Sequence, residues 1–229
     1  MDYIKRKNIL FLVLLLGLLL IIPTSIFAKE DVIAFFGKVK GDVTVTRANP
    51  GETETAKAGM FLYSGDAVKT GDKSYTSIVF QDDGSRLKLD PNTSLTLEAT
   101  RSKKKLSKKM RLGAGKMYAK VSKKRGTDFQ VTTPTSVASV KGTDFGIEEK
   151  TWPETHLWVL SDVVEFTNGI QTIIVTAGQQ AVATPETMNV TNIGDAGCEL
   201  VESGEHKLRF QFEDEAGNVK DLIIEFDRE

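Results

Sequence analysis

From Ile33 onward the chain is written in short apolar–polar alternations, interrupted by Gly, Pro, Asn and Asp about every eight to twelve residues. That rhythm predicts an all-β domain, a sandwich or roll of many short and mainly antiparallel strands, and no stretch carries a capped helical period. The alternation around Gly41-Asp42, with Val39 before and Val43 and Val45 after, predicts a short hairpin. Asn49-Pro50-Gly51 predicts a turn. Residues 75–80 and 87–89 flank Asp82-Asp83-Gly84-Ser85 and predict the clearest hairpin in the chain. Further strands follow at Leu95–Leu97 after Pro91-Asn92, and at 117–121 after Gly115. Residues 156–160, 163–167, 171–176 and 179–183 supply four more, with Ser161-Asp162 and Asn168-Gly169 as turns.

The organising stretch is 127–147, TDFQVTTPTSVASVKGTDFGI. Phe129 and Val131 alternate up to Thr133-Pro134, where the residue before proline is driven out of the helical region. Val137–Val140 is small and β-branched, and Phe145 and Ile147 alternate beyond Gly142. One glycine between two strands predicts a sharp corner at positive φ, with Thr143 and Asp144 bonding local backbone.

The ends differ from this body. Lys5, Arg6 and Lys7 precede an apolar run from Ile9 to Ile22, broken by Pro23, and Ser25-Ile26-Phe27-Ala28 ends in a small residue. This is the pattern of a secretory signal helix over 1–28 with cleavage between Ala28 and Lys29. The rival is a retained membrane anchor, because Ile26 and Phe27 extend the apolar stretch. No cysteine lies near the junction, which excludes a lipid anchor there. On this reading 29–184 is the β domain, 185–205 a linker of weak periodicity, and 206–229 a C-terminal hairpin. In that hairpin Leu208, Phe210 and Phe212 answer Leu222, Ile224 and Phe226 across a turn at Ala216-Gly217-Asn218. A lone hairpin is marginal in water, so it is expected to dock on the main domain or a partner.

Charge changes the picture locally. Thirty Lys and Arg stand against 31 Asp and Glu, so no net field announces a nucleic-acid partner. Residues 101–125 nevertheless hold Lys103, Lys104, Lys105, Lys108, Lys109, Arg111 and six further bases with no acid. A solvated loop or edge is the plain reading. Contact with an anionic envelope polymer or lipid surface, or with the acidic C-terminal stretch, is the functional one. Nucleic acid is disfavoured because Tyr118 is the one aromatic interleaved there. A single cysteine, Cys198, rules out an intramolecular disulfide.

Signatures of catalysis are missing: no G-x-S-x-G, P-loop or H-E-x-x-H occurs. Two histidines, His156 and His206, with one remote cysteine give no zinc spacing. Asp82-Asp83-Gly84-Ser85 lacks the ligand spacing of a calcium loop and reads as a turn. Glu148 and Glu149 at a strand end are expected to be exposed. Trp152 and Trp158 pack in the core or present an aromatic contact for sugar or protein. No catalytic, metal or cofactor site is expected.

The order V-T-T-P then S-V-K-G-T-D-F resembles the FecR domain family, named for the ferric-citrate regulator. Gly37, Gly41, Ser64-Gly65-Asp66-Ala67-Val68, Phe80, Asp83-Gly84-Ser85, Leu112-Gly113 and Ala177-Gly178 agree in order, over roughly 33–184. The resemblance implies a FecR-like extracytoplasmic β module in which Thr133, Pro134, Val140, Gly142, Thr143, Phe145 and Gly178 are structural. Membrane-spanning relatives engage a sigma factor through a cytoplasmic region before their span. Here eight residues precede the apolar run, so that contact is not carried over. The expectation is a secreted or periplasmic, non-enzymatic binding or assembly module, whose partner is an envelope protein or anionic envelope material. An anchored signalling component related to iron-uptake regulators and a carbohydrate-active enzyme needing a close carboxylate pair are the alternatives.

Overall fold

The computed structural model describes residues 31–102, 105–123, 127–150, 153–193, 198–203, 207–213 and 219–225. The segment expected as a signal, with Ala28 and Lys29, the expected turn at Ala216-Gly217-Asn218, and Lys103, Lys104, Trp152 and His206 lie outside them. The described residues belong to one unit, Asp31–Glu229.

Every element among them is a strand. The first nine are β1 (Val32–Lys40), β2 (Val43–Thr46), β3 (Thr53–Thr55), β4 (Phe61–Tyr63), β5 (Ala67–Thr70), β6 (Tyr75–Phe80), β7 (Arg86–Leu89), β8 (Ser94–Ser102) and β9 (Lys105–Lys120). Then come β10 (Thr127–Thr132), β11 (Val137–Val140), β12 (Asp144–Glu149), β13 (Thr155–Val159), β14 (Val163–Thr167), β15 (Thr172–Thr176), β16 (Gln179–Ala183) and β17 (Met188–Asn192). Last are β18 (Cys198–Ser203), β19 (Lys207–Glu213) and β20 (Val219–Glu225).

The registers sort β1–β17 into two sheets. Sheet A runs β4-β1-β6-β7-β9-β12-β13-β16-β17. Sheet B runs β3-β2-β5-β8-β9-β10-β11-β14-β15, antiparallel except for the parallel β9–β10 ladder. Strand β9 belongs to both, so the 17 strands form one hydrogen-bonded network. Leu106, Lys108, Met110 and Leu112 face inward in sheet B, and Met117 and Ala119 face inward in sheet A. The inward phase flips between Leu112 and Met117, where the strand crosses from one sheet to the other. Gly115 makes the crossing at φ +86, because a Cβ there would lie 2.6 Å from Thr93 Cα. The sequence pattern suggested a new strand after Gly115; the chain instead runs through it unbroken.

One core fills the space between the sheets. Phe129 of sheet B lies edge-on between Phe80 and Phe145 of sheet A, with ring centroids 6.1 and 6.5 Å away. Such edge-to-face contacts add about 0.5–1.5 kcal/mol each beyond the burial itself. Most of the predicted strands and the β6–β7 hairpin are present. The predicted β1–β2 hairpin is not: β1 pairs with β4 and β6, β2 with β3 and β5, and Gly41 turns the chain from sheet A into sheet B.

The stretch 185–205 expected as a linker carries β17 and β18. Strand β17 escaped notice because it is an edge with Asn189, Thr191 and Asn192 outward, leaving no alternation to read. Strand β18 pairs with β19, so the C-terminal element is a three-stranded sheet rather than a hairpin.

Candidate functional site

The V-T-T-P motif forms the β10–β11 hairpin, closed by Thr133 N–H donating to Ser136 O at 2.8 Å. Its hydroxyls turn inward. Thr133 Oγ1 and Thr135 Oγ1 meet Thr155 Oγ1 at 2.7 and 2.6 Å, and Thr155 donates to Glu149 Oε2. Thr133, Thr135, Ser136, Thr155 and Glu149 are all buried, while Pro134 is exposed. Glu149 was expected to be exposed, but it is in phase with Phe145 and Ile147 on β12 and therefore points into the sandwich. Burial pushes its carboxyl above the ordinary range despite the hydroxyls of Thr155 and Thr133, and its Oε1 has no hydrogen-bond partner.

The other residues of the quoted motifs lie in the core and at corners. Val140 and Phe145 are core residues, and Thr143 Oγ1 donates to Val163 O at 3.0 Å. Gly142 turns the chain from sheet B to sheet A at φ +119, where a Cβ would stand 2.8 Å from Lys123 Cα. Gly178 turns β15 into β16 at φ +82.

The described side chains of the basic stretch differ in where they point. Lys108 is 1% exposed, and its Nζ lies 2.8 Å from Asp82 Oδ1, 2.6 Å from Asp83 Oδ2 and 4.6 Å above the Phe80 ring. The ion-pair distances are short, though the angles fall outside hydrogen-bond geometry. Lys108 is thus withdrawn from any external partner, and the D-D-G-S turn is its counter-charge. Burial raises the Asp83 carboxyl, but Lys108 and the Ser85 N–H outweigh it and hold it below its ordinary value. The signal was present in the sequence: Lys108 shares its phase with Leu106, Met110 and Leu112. Of the others, Lys109 is exposed and Arg111 pairs with Glu98 at 2.8 Å on the surface. Lys105 is paired through its backbone at the end of β9.

The outer face of sheet A is built differently. Neighbouring strands align Lys88, Tyr118, Gly146, Trp158, Gln180 and Thr191 in one row. Gly146 leaves a notch: a Cβ there would lie 3.0 Å from the Tyr118 ring and 3.4 Å from the Trp158 ring. The two aromatics close over it, as rings do beside a strand glycine. Lys116, one row along, sets its ammonium 4.8 Å from the Trp158 ring centroid and 5.3 Å from that of Tyr118. His156 stacks on Trp158 at 5.9 Å, and Trp158 Nε1–H donates to Gln180 Oε1 at 3.1 Å.

Burial lowers the Lys116 ammonium against the pull of Glu148 and Asp90. It likewise lowers His156, aided by Lys150, so that imidazole is neutral at pH 7. Burial holds the Tyr118 phenol well above its usual range. Trp158, His156 and Lys116 remain half-exposed. Tyr118 is buried beneath Lys88 and Lys116, so the exposed parts of Trp158 and His156, with the neighbouring cation and amides, are what a partner can reach by stacking and hydrogen bonds. Among the described residues no cluster of His, Cys, Asp and Glu is arranged to hold a metal.

These observations define an all-β, two-sheet domain whose sequence motifs serve corners, plugs and internal ion pairs. Residues 66–165 match the family model described as FecR protein, and that segment is a FecR domain. It begins at Asp66, whose buried carboxylate pairs with Arg47 at 2.6 Å, and ends within β14. Two crystal structures of a candidate anti-sigma factor from Parabacteroides distasonis ATCC 8503 are similar, with TM-score 0.48 and 14% identity over 59% of this chain and 67% of that one. No curated protein matches the chain.

Proposed function

We propose that this FecR domain is a non-enzymatic binding module, displayed outside the cytoplasm, that holds another component of the cell envelope through the outer face of sheet A. The carrying observation is the half-buried cluster in which Trp158, over the Gly146 notch, is flanked by His156 and Lys116. Interface anchors are drawn from aromatic residues on rigid elements, and this cluster sits on strands paired on both sides. The basic stretch contributes less to this reading, because Lys108 is committed to the interior. The partner is an envelope protein or an anionic envelope polymer, which Lys116 and Lys88 suit.

Co-sedimentation with isolated envelopes of the native host tests the reading. The wild-type chain is retained, while Trp158→Ala loses retention at least tenfold with its melting temperature nearly kept. Equal retention of the two removes the face from consideration. A phosphatase fusion after Ile193 reports the compartment: inactive fusions place the domain inside and end the extracytoplasmic reading. Carbonate washing then separates a released domain from one anchored through the N-terminal apolar run.

A further inference from the structure

Among the described residues strand β15 closes sheet B, paired on one side by β14. Its other side departs from how edges are usually blunted. Edge strands are protected by charge, proline, bulges or brevity. The edge β3 has three residues and carries Glu54. In contrast, β15 reads Thr-Ile-Ile-Val-Thr, with no charge and no proline, and its ladder to β14 is regular. Three exposed large hydrophobics gather on this hairpin: Ile174 at 57%, Val163 at 51% and Ile170 at 73% exposed.

The hydrogen-bond phase says which groups are on offer. Ala177 N–H donates to Asp162 O at 2.9 Å and Asn168 N–H to Gln171 O at 3.2 Å. Antiparallel pairs alternate between bonded and non-bonded, so Val164 with Val175 and Phe166 with Ile173 are the bonded pairs between these ends. Thr172, Ile174 and Thr176 therefore turn their backbone polar groups away from β14. At one end the structure already supplies an acceptor, since Gln179 Oε1 receives the Thr176 N–H at 2.9 Å and the Thr176 hydroxyl at 2.9 Å. Gln179 thus holds the place of an added strand's carbonyl, and its side chain turns away when a neighbouring strand bonds Thr176.

We infer that β15 pairs antiparallel with β15 of a second copy, about a two-fold axis through Ile174, joining two B sheets edge to edge. The strand is its own complement. Ile174 meets Ile174 in the bonded pair at the axis, and Thr172 meets Thr176 on either side. On the inner face Ile173, already packed at the margin of the core, meets Val175. A C2 interface requires such self-complementarity, and no like charges meet. Val163, diagonal to Ile174 on the outer face, adds apolar contact.

A five-residue edge buries less than the ~1,200 Å² of a standard interface, so a micromolar dimer is expected. The chain, expressed with its own N-terminal segment and purified as the host processes it, is followed by light scattering from roughly 1 to 500 µM, a range suited to weak interfaces. Wild type passes from monomer to dimer, Ile174→Lys stays monomeric with an unchanged melting temperature, and Ile174→Val keeps the dimer. In a Cys198→Ser background, Ile174→Cys is joined by a short bismaleimide in intact cells, whereas Glu54→Cys on the opposite edge is not. A wild type that stays monomeric throughout overturns the inference, as does a dimer insensitive to Ile174→Lys. Oligomers that grow beyond two with concentration overturn the closed two-fold arrangement.

Discussion

Changing Lys108 to Gln removes an ammonium that is 1% exposed and leaves the Asp83 carboxylate, whose side chain is also 1% exposed, without its partner. Removing one member of a buried ion pair costs about 3–5 kcal/mol, because the remaining charge stays desolvated. That is a large share of the ~5–15 kcal/mol that holds a domain folded. With a urea slope of ~1–3 kcal/mol/M, the unfolding midpoint falls by about 1 M or more. Lys109→Gln, on the opposite face of the same strand, moves stability by about 0.5 kcal/mol or less. Changing all three partners, as Lys108→Met with Asp82→Asn and Asp83→Asn, recovers most of the loss, since apolar or neutral replacements of a buried pair are often neutral or stabilising. Urea titration followed by far-UV circular dichroism reads all three. A Lys108→Gln midpoint within error of wild type refutes the assignment of Lys108 as a paired interior charge. The same logic warns against testing the basic stretch with a block of Lys→Gln changes that includes Lys108, because unfolding would pass for lost binding.

Asp83 has a depressed carboxyl in the fold, so its stabilisation is present above the unfolded value of ~3.9 and is lost as pH falls through the lower folded value. Acid titration of wild type against the triple variant should show that loss below about pH 4 in wild type alone. Glu149 is raised, so the sign reverses: its contribution is greatest below the unfolded value of ~4.3 and declines as pH rises through the folded one. Glu149→Gln should fold and abolish that decline, and a melting temperature with the same pH slope as wild type would contradict the buried carboxyl. Gly142→Val should lower the melting temperature strongly, since it forces a β-branched residue to φ +119 against Lys123, whereas Asp144→Asn should change it little. Phe145→Ala should cost about 3–5 kcal/mol by removing a ring packed edge-on against Phe129.

Much of the fold was legible because a sandwich strand buried on one face must alternate. Apart from β8 and β9, which run well beyond the short segments expected at Leu95–Leu97 and 117–121, the predicted strands from Tyr75 to Ala183 stand within a residue or two of their places, and Gly142 and Gly178 are at corners with positive φ. What sequence could not give was which corners are hairpins and which are crossovers. Gly41 and Asn168-Gly169 look alike as punctuation, yet one changes sheet and the other stays within sheet B. That choice is made by long-range ladders such as β1–β6, which no local pattern encodes. Edge strand β17 was missed for the opposite reason, having no buried face to impose a period. At the candidate site, Trp158 was singled out, but its juxtaposition with Tyr118 over Gly146 depends on the remote strand β9 pairing with β12.

The two charged residues that were misread, Lys108 and Glu149, share one lesson. Each was judged by type, as a basic run or a strand-end carboxylate, while its phase said otherwise. Because the side-chain period in a strand is two, a residue in step with Leu106, Met110 and Leu112 cannot reach solvent unless the register slips by one. A slip of that kind would turn Lys109 and Arg111 inward and carry Lys108 out, away from Asp82 and Asp83, so the paired Lys108 penalises the wrong register of β9. The parallel β9–β10 ladder needs this help most, since the turns that set hairpin registers do not act on it. The D-D-G-S hairpin therefore serves β9 twice, as its sheet A neighbourhood through β7 and as the counter-charge that fixes where its sheet B half may lie.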